Sequence, residues 1–80
     1  MINQKKVISI ISKSLKVSSS KISINSSDKD FKRWDSLGHL EILLNLDKAL
    51  EGKATKVAGL AQAYSVKKIL TVLKKNKLLS

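Results

Sequence analysis

Apolar positions fall into three stretches of helical spacing, separated by segments where that spacing is lost. Val7, Ile8, Ile11 and Leu15 recur every three or four residues and predict one apolar face of a helix over residues 3–16. Lys5, Lys6, Lys13 and Lys16 lie largely off that face, and the run Ser18-Ser19-Ser20 predicts its end. Residues 17–35 follow as a long connection. Runs of that length without regular structure are uncommon inside compact domains. This one holds Val17, Ile22, Ile24, Phe31 and Trp34, which predicts a loop anchored across a bundle.

A second helix is predicted from Asp35, a candidate N-cap whose carboxylate can accept from free backbone N–H groups, to Gly52, a candidate left-handed C′ residue. Between them Leu37, Leu40, Ile42, Leu43, Leu44, Leu46, Ala49 and Leu50 are apolar on more than one side. A helix in so small a domain rarely needs that much apolar circumference. Part of it is therefore central to the bundle or kept for a partner. A short helix is predicted over residues 56–62, weakened by Gly59. A last helix opens on Ser65 as N-cap, with Val66, Ile69, Leu70 and Leu73 as its apolar face. Tyr64 and Ile69 have the spacing of a hydrophobic staple. Lys74, Lys75 and Lys77 suit the negative end of its dipole. The expected fold is all-α, a small four-helix bundle of three longer helices and one short one, in a single domain over residues 1–80.

Composition narrows the chemistry. A chain of 80 residues buries only about 60% of its unfolded surface, so its core must be economical. With no cysteine, disulfides and thiolate metal sites are excluded. One histidine and six carboxylates leave little for any other metal cluster. No catalytic residue and no metal site are expected. His39 reads best as a polar residue packed at the bundle edge, because a lone histidine without an orienting partner is poorly equipped for acid–base work. Trp34 reads as an anchor holding the loop to the core.

The formal charge of +10 changes the picture, and so does its distribution. Residues 1–27 contain five lysines and no acid, and residues 52–80 contain seven lysines and no acid. All six acids, Asp28, Asp30, Asp35, Glu41, Asp47 and Glu51, fall in residues 28–51, where the balance is −2. Net charge alone suggests a basic helical module for nucleic acid or an anionic membrane, and the first helix is both basic and amphipathic. Against nucleic acid, fifteen lysines accompany a single arginine, and arginine is the preferred fork for base contacts. No platform of aromatics is present for stacking. The basic, Ser-rich start has the composition of a transit peptide but lacks arginine. No stretch is long enough to span a membrane. A cytoplasmic monomer is expected.

The informative stretch is Trp34-Asp35-Ser36-Leu37-Gly38-His39-Leu40-Glu41. A serine at a helix start after a long loop points its hydroxyl to solvent. A phosphate attached there would sit in the field of free N–H groups and the positive helix end. Local physics permits such a phosphodiester without requiring it.

This stretch resembles the acyl carrier protein family, whose hallmark is Asp-Ser-Leu at the start of the second helix. The resemblance covers nearly the whole chain. It takes in the Val/Ile face of helix 1 and the loop with Ile22, Ile24 and Phe31. Glu41 matches the acidic residue five positions after the serine, Ile42, Leu46 and Leu50 match core positions, and Ser65-Val66 matches the opening of the last helix. The wording around Ser36 is similar to that of freestanding carriers of specialised pathways. It departs from the Gly-Gly-His-Ser type of peptidyl carriers. The resemblance implies that Ser36 carries 4′-phosphopantetheine, donated from coenzyme A by a phosphopantetheinyl transferase that Asp35 helps to engage. It implies that the arm holds acyl groups as thioesters for acyl-loading and acyl-processing enzymes of fatty-acid, polyketide or related biosynthesis, and that the carrier is not itself an enzyme. It also implies a docking surface of Leu37, Glu41, Leu44 and Asp47. The basic total departs from the acidic character of familiar carriers, yet the acids persist on that surface. With a Debye length near 8 Å at physiological salt, distant lysines are largely screened from it.

Overall fold

The computed structural model describes residues 2–80. They form three α-helices, α1 (Gln4–Leu15), α2 (Ser36–Ala49) and α3 (Val66–Lys75), and no strand. Each helix starts with the same device. Asn3 Oδ1 accepts from the Lys6 N–H at 2.8 Å, Asp35 Oδ1 from Gly38 at 2.9 Å, and Ser65 Oγ from Lys68 at 3.1 Å. Each satisfies a backbone donor that the first helical turn leaves free.

The helix ends also share one geometry. Val17, Gly52 and Leu78 donate their N–H groups back to Ser12, Asp47 and Leu73, closing the six-residue bond of a Schellman motif. The left-handed residue at each end is not glycine: Lys16, Glu51 and Lys77 have φ of 58°, 56° and 59°. Gly52 was expected in that role. Glu51 takes it, and Gly52, also at positive φ, supplies the closing N–H one residue later.

α1 packs on α2 along one side and on α3 along the other. Val7, Ile11, Ile42, Leu46, Val66, Ile69 and Leu73 are wholly buried between them. Ile10 belongs to this core and Ile8 only to its margin, so the face of α1 is rotated slightly from the one its spacing predicted. The loop before α2 contributes Ile22 and Trp34 as buried anchors, with Phe31 half-buried. Ile24, expected among the anchors, is instead 41% exposed. Two backbone pairings tie down the remaining segments. Ser27 bridges Ser65 in antiparallel sense, and Ile2 bridges Leu79 in parallel sense, which sets the start of α1 beside the end of α3.

The short fourth helix is replaced by two single 3-10 turns, Ala54–Lys56 and Leu60–Gln62. Gly59 between them has φ of 99°, outside the right-handed helical region, so no helix continues through it. Ala54, Leu60 and Ala63 still reach the core, so the segment packs on the bundle without forming an α-helix.

Candidate functional site

The start of α2 is held from three directions. From below, Asp35 in extended backbone conformation caps the helix. Ser36 is the first helical residue and is exposed. The cap is made by Asp35, so the Ser36 hydroxyl is left out of it.

From the loop side, the chain at Arg33 lies against Gly38. A Cβ on Gly38 would collide with the Arg33 carbonyl oxygen and sit 3.0 Å from its carbon, with Leu15 Cδ2 at 3.2 Å. Only the missing side chain lets loop and helix approach this closely. Trp34, 2% exposed, is thereby fixed next to the cap.

The third support is His39, which the sequence placed at the bundle edge. It is buried instead, at 2% exposure. The Trp34 indole N–H donates to His39 Nδ1 at 3.0 Å, and His39 Nε2 lies 2.9 Å from the Leu60 carbonyl oxygen. Indole is only a donor. Nδ1 must therefore accept, and Nε2 holds the proton it gives to Leu60. Tyr64 stacks on the imidazole with centroids 4.0 Å apart. His39 thus connects the loop, α2 and the segment before α3, and both its nitrogens are used. No buried side-chain nitrogen or oxygen among the described residues lacks a partner.

The opposite face of α2 is free. Leu37, Leu40 and Leu44 are 70%, 50% and 53% exposed, and Glu41 is exposed among them. They form one stripe at helical spacing, continuous with Ser36. This accounts for the excess apolar circumference of α2. Ile42 and Leu46 fill the core, Leu43 is half-buried, and these three leucines remain outside. Leu40 was counted in that circumference but not among the docking residues. Its i+3 spacing from Leu37 and i−4 from Leu44 was the signal. Beside the stripe, Leu40, Leu43 and Leu44 line an apolar cleft of ≈ 230 Å³ against Ala54, Val57 and Leu60.

Asp47 is set apart from these. It is half-buried, and its Oδ1 accepts from the Thr55 N–H at 3.0 Å, fastening the turn after α2. Elsewhere, Asn45 donates to Ser14 Oγ at 2.8 Å, and Ser14 donates to the Ile10 carbonyl, which fixes the register of α1 on α2.

The structure therefore brings Asp35, Ser36, Leu37, Glu41 and Leu44 to one exposed end and face of α2, and gives Asp47 a local structural task. Among the described residues no three His, Asp or Glu converge on a possible metal position, and no helix is long and apolar enough to cross a membrane. Compared with models of protein families, with curated proteins and with solved structures, the chain matches none.

Proposed function

We propose that this chain is an acyl carrier, with an acyl-carrier-like helical fold, in which Ser36 bears 4′-phosphopantetheine and the chain itself catalyses nothing. The observation that carries the reading is the setting of Ser36. It is an exposed serine at the first position of a helix whose cap is supplied by its neighbour, rigidly backed by Gly38, Trp34 and His39, and continuous with an exposed leucine stripe. A phosphodiester there would meet the N–H groups and positive dipole of α2. The arm would supply the thiol that a cysteine-free chain lacks. Leu37, Leu40 and Leu44 around Glu41 would offer partner enzymes an apolar contact with one acidic contact inside it. The reading includes a cytoplasmic monomer that meets a phosphopantetheinyl transferase and acyl-loading and acyl-processing enzymes in turn.

The test is intact mass after incubation with coenzyme A, magnesium and a broad-specificity phosphopantetheinyl transferase, with Ser36→Ala alongside. A gain of one phosphopantetheine on the parent and none on the variant is the expected result. Failure of the folded parent to gain mass with both a broad and a cognate transferase would overturn the reading.

A further inference from the structure

Part of the basic surplus forms a compact face on α3, apart from the exposed lysines of residues 1–27. Lys67, Lys68, Thr71, Lys74 and Lys75 are all exposed and occupy one face of α3, at spacings of one, four, seven and eight residues. No acid occurs anywhere in residues 52–80. The Ser27–Ser65 bridge brings half-buried Asp28 and exposed Asp30, whose Oδ2 accepts from the Ser27 N–H at 2.8 Å, near the start of α3, and neither is paired with a lysine of the face. The ridge has a groove on each flank. One, of ≈ 570 Å³, is lined by Gly59, Ala63 and Val72 with Lys67 and Lys68. The other, of ≈ 430 Å³, is lined by Ile24, Leu70 and Leu79 with Lys67 and Lys74. Among the described residues, Ile24 is the exposed large apolar residue that does not belong to α2. Neither groove includes any α2 residue, so this surface is separate from the one around Ser36.

We propose that the lysine face of α3 is a reversible docking surface for an anionic lipid bilayer, with Ile24 at its apolar margin. Three observations choose this occupant. The face is of one sign, and its only charges are lysines, compact point charges on long stems that suit headgroups in no fixed arrangement. The buried centres of protein–protein interfaces are depleted in lysine. The one arginine, Arg33, lies elsewhere, and the face has no aromatic side chain to stack on a base. A juxtamembrane lysine near an anionic surface strengthens attachment by about five-fold. The four together reach several hundred-fold. The proposal does not depend on Ser36 being modified.

The experiment is co-sedimentation of the full chain with phosphatidylcholine vesicles, with and without about 30 mol% phosphatidylserine, at about 0.15 M salt. Two variants of equal net charge are compared. One replaces Lys67, Lys68, Lys74 and Lys75 with Gln, and the other replaces Lys29, Lys32, Lys48 and Lys53. All eight lysines are exposed, and circular dichroism confirms that each variant is folded. The expected result is binding that requires phosphatidylserine, falls at least a hundred-fold in the α3 variant and changes less than ten-fold in the other. Equal losses in both variants would reduce the effect to net charge and overturn the proposal. So would absence of parent binding to the anionic vesicles, or tighter parent binding to a DNA duplex at the same salt.

Discussion

Substituting Gly38 by Ala sets two effects against each other, and the structure decides which wins. Helix propensity alone favours Ala over Gly by about 1 kcal/mol, so a chain judged by its helix would be stabilised. The new Cβ, however, would overlap the Arg33 carbonyl and crowd Leu15 Cδ2. Backbone cannot rotate away as a lysine tip can, so the loop at 33–34 must lift from α2. That motion withdraws the buried Trp34 indole and stretches its 3.0 Å bond to His39. Overpacking of a tight contact costs about 1–3 kcal/mol, and weakening a buried hydrogen bond about 1 kcal/mol or more. After the propensity gain is set against these, Gly38→Ala is expected to destabilise by about 2 kcal/mol, a fall in Tm of about 10 °C in a domain of this size. Urea unfolding followed in parallel by Trp34 fluorescence and far-ultraviolet circular dichroism measures it. A variant as stable as the parent, with unchanged Trp34 emission, would refute the close approach of loop and helix.

His39→Ala leaves the Trp34 N–H and the Leu60 carbonyl without their partner in a buried position, and a loss of about 3 kcal/mol in urea unfolding is expected; nitrogen chemical shifts of the parent imidazole should report the Nε2–H tautomer. Leu40→Ser should cost about 1 kcal/mol for the half of its side chain packed against Ala54, Val57 and Leu60, and, on the proposed carrier reading, should slow acyl loading as much as Leu37→Ser or Leu44→Ser; undiminished loading would remove Leu40 from the proposed docking stripe. Lys16→Gly relieves a left-handed lysine and should raise stability by up to about 1 kcal/mol, whereas Lys13→Gly inside α1 should lower it by about the same amount; thermal melts of the pair separate the two.

The three helices and two of their N-caps were legible because both are local, while the Asn3 cap of α1 was not foreseen. Apolar spacing at three and four residues needs only the helix period, and Asp35 and Ser65 cap through donors three residues away. The charge partition and the exclusion of disulfides and thiolate metal sites followed from residue counts. That Ser36 would stand exposed at the start of the second helix was also legible, from a short motif at a helix start.

Features that depend on contacts distant in sequence were not. Nothing near His39 shows that its ring will lie between Trp34 and Leu60, because Leu60 is twenty-one residues away. The motif contained Gly38, but its necessity appears only when the Arg33 carbonyl is seen against it. The segment over 56–62 has helical composition, yet the left-handed turn at Gly59 and the burial of Ala54, Leu60 and Ala63 break it into 3-10 turns. Likewise, sequence established that α2 has more leucines than a small core needs, but only packing decided that Ile42 and Leu46 go inward while Leu37, Leu40 and Leu44 stay out. Helical period and residue chemistry act along the chain and can be read from it. The choice of which apolar face to bury is made by the neighbours that tertiary structure brings together.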